Sequence, residues 1–511
     1  MGANAVRRSR FVRSSAAALV VLLTGLTFGF PQALAIEPPS VDPALVPSDG
    51  TPGPELPMRQ SNVCAQAVAA GDPDIGLPAP GFSMLNTRAA WRHSTGNGVA
   101  VAVIDTGVTP NRRLSVVGGG DYIMGGDGLT DCDAHGTIVA SLINAAPQGS
   151  PMPAPMPPSP AFPQPVGGPP VLGGSAPRPA PPSPATPTPA EPRPVPPDGV
   201  AGIAPHATVI SIRQSSRAYE PVSPGSVDVQ RRRKAGTVST LAKAIVHAAN
   251  LGAKVINVSV TACVPAADPL DQRALGAAVW FAAMAKDAVI VAAGGNEGED
   301  GCAQNPELNP LDNDDPRDWN HVRTVSSPSW FADYVLSVGA VDNKGIPVAK
   351  SLAGPWVSVA APGVGIMGLS PHDGAPVNAY PPGRPGENAM PFWGTSFSAA
   401  YVSGVAALVR AKYPQLTARQ VINRILQTAH NPPRGVDNRI GYGVVDPVAA
   451  LTFDVPAGDP VAPGAQARVV TPPPPPEPPD RRARTVALAF AGTVAATAVL
   501  AAIIGRARRA R

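Results

Sequence analysis

The 511-residue chain has few charges: Asp, Glu, Lys and Arg make up 15% of it, and aromatic residues only 5%. It has four cysteines, Cys64, Cys132, Cys263 and Cys302, and none of their spacings is CxxC, so a zinc site is not expected. No repeat of solenoid length is present. Acidic residues are missing from both ends, where 1–35 holds four Arg and 481–511 holds seven. With these eleven arginines set aside, 36–480 carries a formal charge of −7, although the whole chain is +4. A basic nucleic-acid-binding surface on the body is therefore excluded. Proline is in surplus, 66 residues, so part of the chain cannot be packed core.

Residues 1–35 read as a secretory signal peptide: a basic zone to Arg13, an apolar run Ala16–Phe30, and Ala33-Leu34-Ala35 before the expected cut. Thr485–Gly505 is an uncharged run of 21 residues. As a helix it spans about 31 Å, enough to cross a hydrocarbon core. Export of the body would leave 506–511 as a cytoplasmic tail. The expectation is a single-pass type I protein of the cell membrane, anchored in the lipid bilayer by 485–505, with its body on the extracytoplasmic side. Four cysteines in an exported chain favour two disulfides, with three pairings open.

The Pro-rich start of the 36–84 extension is expected to lie extended. Stretch 147–198 holds 22 Pro in 52 residues without apolar periodicity, and is expected to be disordered or polyproline II and open to nicking. A second Pro-rich run in 456–484 reads as a stalk. Between them, 85–455 alternates apolar strand runs with helical ones. Strands are expected at Val99–Ile104, Ala207–Arg213, Lys254–Val260, Ala288–Ala293, Val335–Val341 and Val357–Ala360. Helices are expected near Thr87–His93 and at Val238–Asn250, Asp271–Lys286, Ser396–Lys412 and Ala418–Ala429. This is the pattern of an α/β doubly wound parallel sheet with helices on both faces.

In such sheets chemistry collects beyond the carboxyl ends of the strands. There lie Asp105 after VAVAVI, His135 at the start of a helix-like run, Asn296 after VIVAA, and Ser396 opening a small-residue helix. Singly, each has a structural reading: a turn cap, a core histidine, a left-handed turn residue, a helix cap. Together they fit nucleophilic acyl transfer. A hydroxyl needs a base to remove its proton, a histidine suits that near neutrality, and a carboxylate fixes the imidazole. The Asn296 amide and a helix N-terminus supply oxyanion donors.

The motifs DTGV at 105–108, HGT at 135–137, AAGGNEG at 292–298 and GTSFSAAYVSG at 394–404 resemble those of subtilisin-like serine proteases. The resemblance covers about 85–450, and Gly441-Tyr442-Gly443 fits the usual closing segment. It implies the subtilisin-like fold, a triad of Asp105, His135 and Ser396, an oxyanion asparagine at Asn296, and protein or peptide substrates. VINVS at 255–259 resembles the substrate-pairing strand, which implies substrate-binding roles for Ser259, Val260 and Thr261. Where the family often has Leu-Gly-Gly after that serine, Val260-Thr261-Ala262 stand here, and a narrowed first specificity pocket is expected. Phe397 replaces a frequent Met. No cofactor or metal is expected: Asp312–Asp315 reads as a solvated turn, and Arg231–Lys234 as an exposed charge run.

Signal peptide, Pro-rich extension, four cysteines, Pro stalk and C-terminal apolar helix together are similar to the mycosins, membrane-anchored subtilases of type VII (ESX) secretion systems. The insertion after His135 is most similar to that of the fifth system's mycosin. This resemblance implies disulfides Cys64–Cys132 and Cys263–Cys302, a periplasmic location and the type VII membrane complex as partner. It implies an endopeptidase of limited range that also supports complex assembly, with a mainly scaffolding role as the alternative.

Overall fold

The computed structural model describes residues 36–157, 197–223, 235–267, 270–299, 301–309, 311, 317–433, 435–463 and 482–509. Expectations for 1–35, most of 147–198, 464–481, Arg231–Lys234 and 312–315 lie outside the described residues. The chain divides into two units, Met1–Ala465 and Gln466–Arg511.

The first unit is built on seven parallel strands: β1 (Ala100–Asp105), β2 (Val116–Asp121), β3 (Thr208–Arg213), β4 (Val255–Val258), β5 (Val289–Ala293), β6 (Val335–Val341) and β7 (Val357–Pro362). Their order is β7-β6-β5-β4-β1-β3-β2. β1 lies near the middle, with Val101 opposite Val209 on one side and Val255 on the other. A strand covered on both faces must be apolar on both, and period-two alternation then sorts its side chains between two cores. Val101, Val103, Val289 and Val291 point into one core, shared with helices α1 (His135–Asn144) and α4 (Thr395–Lys412). Ile104, Ile256, Val258 and Ile290 point into the other, under α2 (Val238–Asn250) and α3 (Arg273–Trp280). A fifth helix, α5 (Ala418–Gln427), follows.

Local chemistry sets several boundaries. Thr237 caps α2 by accepting from the Thr240 amide at 3.0 Å. The expected helix Asp271–Lys286 begins only at Arg273, because the Asp271 carboxylate accepts from the Arg273 amide at 3.1 Å and turns the chain; it ends in a π-turn over Phe281–Ala285. The strand expected over Lys254–Val260 is shorter, Val255–Val258, so Ser259, Val260 and Thr261 lie on the segment beyond it.

The sequence reading missed β2. Its VVGGGD run has three glycines, which carry no apolar signal. A Cβ on Gly119 would come within 2.5 Å of Ile210 on β3, so the packing admits glycine there.

The 36–84 segment is attached along its length. Cys64 is bonded to Cys132, and a second disulfide, Cys263–Cys302, lies within the body. Glu55 meets Lys243 Nζ at 2.8 Å and Asp49 meets His247 Nδ1 at 2.8 Å, fastening the segment to α2. Val68 bridges to Ala379, and Asn378 Nδ2 donates to the Ala70 and Pro73 carbonyls. The end of the Pro-rich insertion belongs to the body, where Asp198 meets Arg113 at 2.7 Å in a nearly buried ion pair.

In the second unit, α6 (Arg482–Arg509) carries a segment, Thr485–Arg509, that is long and apolar enough to cross a membrane, an 18-residue stretch of it having a mean hydropathy of 2.2.

Candidate active site

β1 ends at Asp105, which is fully buried, and the chain then turns through Gly107. α1 begins at His135 after Ala134, a non-glycine residue in the left-handed region at φ 62°. That conformation is disfavoured for a Cβ-bearing residue and persists only where its surroundings hold it. The close approach of the two motifs supplies the hold. A Cβ on Gly136 would lie 2.0 Å from the Gly107 carbonyl oxygen, so only glycine lets α1 start this near to β1. The result is a hydrogen bond of 2.8 Å between His135 Nδ1 and Asp105 Oδ1.

Asp131 connects the two motifs. One oxygen accepts from Thr106 Oγ1 at 2.9 Å and the Asp133 amide at 3.1 Å; the other accepts from the Thr137 amide at 2.8 Å and Thr137 Oγ1 at 2.7 Å. Thr106 Oγ1 in turn accepts from the Gly136 amide at 2.9 Å. Two unpartnered amides at the start of α1 are thereby satisfied without a capping side chain at Ala134. Burial pushes the Asp131 carboxyl up to about 6, with the Asp105 charge adding to the rise and the hydrogen bonds from Thr137 and Thr106 opposing it.

At His135, burial disfavours the charged ring, but the charge and hydrogen bond of Asp105, with Asp131, outweigh it. The imidazole is held above its ordinary value, while Arg217 pulls it down. The His135 side chain remains 23% exposed and so faces a cleft.

α4 brings Ser396 to the same region. The ring of Phe397, its neighbour, stands 5.1 Å from the His135 ring. Ser396 lies in the first turn of α4, where backbone amides lack intrahelical acceptors. Its Oγ donates to the Ser259 carbonyl at 3.2 Å, so the segment after β4 touches the hydroxyl directly. Ser259 is buried and its own Oγ donates to the Ser396 carbonyl at 3.3 Å. Val260 is half-buried against the α2–α3 core, and Thr261 is half-buried beyond it.

Asn296 follows β5. The left-handed residue of that turn is Gly295, at φ 106°, so the turn itself does not require the asparagine. Asn296 Oδ1 accepts from the Thr395 amide at 3.0 Å and Thr395 Oγ1 at 3.1 Å, which fixes the amide so that Nδ2 faces away from them. Nδ2 donates to Glu299 Oε2 at 3.3 Å. Gly394 is needed beside it, since a Cβ there would sit 3.1 Å from Nδ2 on a backbone at φ 142°. Among the described residues no cluster of His, Cys, Asp or Glu is suited to a metal ion.

Sequence reading missed Asp131, Arg217 and Glu299. Asp131 stands four residues before His135 and carries no periodic or compositional signal. Only the meeting of 105–106 with 131–137 gives it a role.

An Asp–His couple, a serine in the first turn of a helix and an asparagine amide, all beyond the ends of one parallel sheet, define a subtilisin-like serine endopeptidase. The Subtilase family profile matches residues 96–443, and the chain belongs to that family. Within it the likeness is to the mycosins: the chain is 62% identical to Mycosin-2 of Mycobacterium tuberculosis over 542 residues, covering 98% of each chain. It is 48% identical to Mycosin-5 of the same organism, covering 88% of each. Among solved structures it is similar to MycP1 from Mycobacterium smegmatis, with a TM-score of 0.71 and 40% identity over 85% of this chain and 99% of that one. It is also similar to a chain in an intact ESX-5 inner membrane complex, with a TM-score of 0.70 and 47% identity over 92% of this chain and 100% of that one.

The likeness to the fifth system's mycosin, read from the insertion, is corrected by these identities, which favour Mycosin-2 over Mycosin-5. A Pro-rich surface segment is not constrained by core packing, so its length and composition are a weaker guide than the packed body.

Proposed function

We propose that Ser396 is the nucleophile, His135 the general base and then acid, Asp105 the residue that fixes the imidazole, and Asn296 an oxyanion donor. The 2.8 Å Asp105–His135 hydrogen bond carries this reading. It places the proton on Nδ1 and leaves Nε2 free to accept. Rotation about the Ser396 Cα–Cβ bond carries Oγ from the Ser259 carbonyl to Nε2. Oγ then attacks the substrate carbonyl carbon as its proton passes to Nε2. The oxyanion takes the Asn296 Nδ2–H and the Ser396 amide, which the dipole of α4 reinforces. Collapse breaks the C–N bond, and His135 returns the proton to the leaving amine. Water then releases the acyl group by the same steps with His135 again as base. Ser259, Val260 and Thr261 line the substrate path, and Thr261 and Ala262, in place of glycines, narrow it toward small side chains.

The test is labelling of the full chain by a fluorophosphonate probe. Wild type should react and Ser396→Ala should not; an unreactive wild type in folded, oxidised form would overturn the assignment.

A second role in complex assembly is supported by the similar chain within an ESX-5 inner membrane complex. We infer that 1–35 is removed on export, that 485–505 spans the membrane once, and that the catalytic unit stands on the periplasmic side. The identities group the chain with Mycosin-2. Restoring a deletion strain with Ser396→Ala separates the roles: recovered secretion means that presence suffices, lost secretion that cleavage is required.

A further inference from the structure

The amide that the proposed mechanism needs for the oxyanion already has an anionic partner. Glu299 Oε2 lies 3.3 Å from Asn296 Nδ2 and 3.7 Å from the Arg217 guanidinium. These groups come from opposite banks of the cleft. Glu299 is on the loop after β5 and is folded back by hydrogen bonds between that loop and Cys302: the Cys302 amide donates to the Glu299 carbonyl at 2.8 Å, and the Gly298 amide to the Cys302 carbonyl at 2.9 Å. Cys302 is in turn bonded to Cys263 on the segment after β4. Arg217 is on the loop after β3, where its amide donates to Asp133 Oδ1 at 2.7 Å, two residues before His135. Its charge reaches the His135 ring. The Arg217–Glu299 pair thus runs from the histidine bank to the asparagine bank.

We propose that Glu299 is a specificity gate: its carboxylate, held by Arg217, engages the amide nitrogen that the substrate oxyanion must use, and a substrate that displaces it is cleaved more readily. This rests on the roles assigned above to Asn296 and Ser396.

The position follows from distance. A donor serves an oxyanion at about 2.7–3.1 Å, and the carboxylate oxygen sits just outside that range from the same nitrogen. The amide cannot turn away, because its oxygen is pinned by two donors from Thr395. Nδ2 carries two hydrogens, yet whichever the oxyanion takes, a carboxylate within reach of that nitrogen opposes negative charge building beside it. Glu299 and Arg217 have side chains 40% and 69% exposed, so their pair is a weak latch that substrate can open. Displaced from Glu299, the Arg217 guanidinium is left facing the cleft, where an acidic side chain next to the scissile bond can pair with it. Peptides carrying such a residue open the gate more readily than neutral ones.

The test uses the full-length protein in detergent, a neutral peptide substrate and its variant with one Asp beside the cleaved bond. Glu299→Ala should raise kcat/KM and the rate of fluorophosphonate labelling for the neutral peptide by about three- to tenfold, the scale of a partly exposed charged contact. It should also shrink the advantage of the acidic peptide. Glu299→Gln, which keeps an acceptor but loses the charge, should fall between. In wild type, salt should screen the latch and raise cleavage of the neutral peptide, whereas Glu299→Ala should be indifferent to it. Should Glu299→Ala fail to fold, the salt dependence of wild type decides. Unchanged or slower cleavage by a folded Glu299→Ala, or a wild type insensitive to salt, would overturn the gate. Loss of labelling in both wild type and Glu299→Ala would instead overturn the assignment of Ser396.

Discussion

Asp105 and His135 are thirty residues apart in the chain, yet Oδ1 of one lies 2.8 Å from Nδ1 of the other. The contact depends on Gly136, whose missing side chain lets the start of α1 rest against the Gly107 carbonyl. Asp105→Asn would reverse the tautomer preference by offering a donor to Nδ1. A fall of about 10⁴ in kcat is expected, with little change in thermal unfolding. Single-turnover kinetics with a chromogenic peptide would measure it, and a fall below tenfold would remove Asp105 from the proposed triad.

The pH dependence follows from the raised His135 value. As the base, His135 must be neutral, so activity should fall on the acid side of a pKa above the ordinary value of about 6.5. Arg217→Ala removes a charge that opposes protonation, so the acid limb of kcat/KM should move further up. Asp131→Asn removes a charge that favours protonation, so the limb should move down. Profiles of the three proteins test the signs, and a shift of either variant in the other direction contradicts the electrostatics.

Asp131 accepts four hydrogen bonds with two oxygens, an arrangement an amide side chain cannot reproduce. In Asp131→Asn the new NH2 group would face a donor at Thr106 and Asp133 or at Thr137. A loss of about 1–3 kcal/mol in stability is expected from the unpaired buried groups. Because the carboxyl value in the folded state is raised to about 6, its protonation is favoured by folding. The sign is therefore that this group adds stability as pH falls from 7 through 6 toward the unfolded value near 3.8, and loses it as pH rises again. Asp131→Asn should flatten that part of the stability curve in denaturant titrations.

The Cys64–Cys132 bond closes 68 residues of chain. Replacing both cysteines by Ala should cost about 4 kcal/mol in the chain-entropy picture. The segment around Val68, held otherwise by Asn378 and the Ala379 bridge, should then become a new site of cutting by added elastase, which cleaves after Ala and Val. Unaltered digestion would mean that the polar contacts alone suffice.

Thr261 and Ala262 stand where related chains often have glycines. Peptide-library profiling should show small residues preferred on the acyl side of the cut bond. Thr261→Gly with Ala262→Gly should admit Phe or Leu there by at least about tenfold in kcat/KM, the range a hydrophobic pocket can discriminate. A wild type that already favours Phe would contradict the narrowing.

Several elements were legible in the sequence. Helix Val238–Asn250 and strand Val335–Val341 have the limits expected from their apolar spacing, because Thr237 caps the helix and the strand is buried along its whole length. Strand Val116–Asp121 was not legible, since glycines at 118–120 show no periodicity and are explained only by what lies against them: Asp127 at Gly118, Ile210 and Ile212 at Gly119, and Pro52 at Gly120. Asp131 shows the same limit at the site. Nothing in DCDAHGT separates a turn aspartate from the carboxylate that joins both motifs. Glu299 is similar, because its place on the Asn296 amide depends on how the Cys302 loop folds back.

By itself, the sequence determined the alternation of buried strands and helices, the positions of Asp105, His135, Asn296 and Ser396 at element ends, and the apolar span of α6. These are local properties: side-chain polarity and spacing decide which face of an element is buried, whatever it packs against. Only the tertiary structure decided that His135 meets Asp105, that the Ser396 hydroxyl rests on the Ser259 carbonyl, and that Glu299 reaches Asn296 beside Arg217. Such pairings depend on the crossing of chain segments far apart in sequence, within a few tenths of an ångström, and no local pattern encodes that distance.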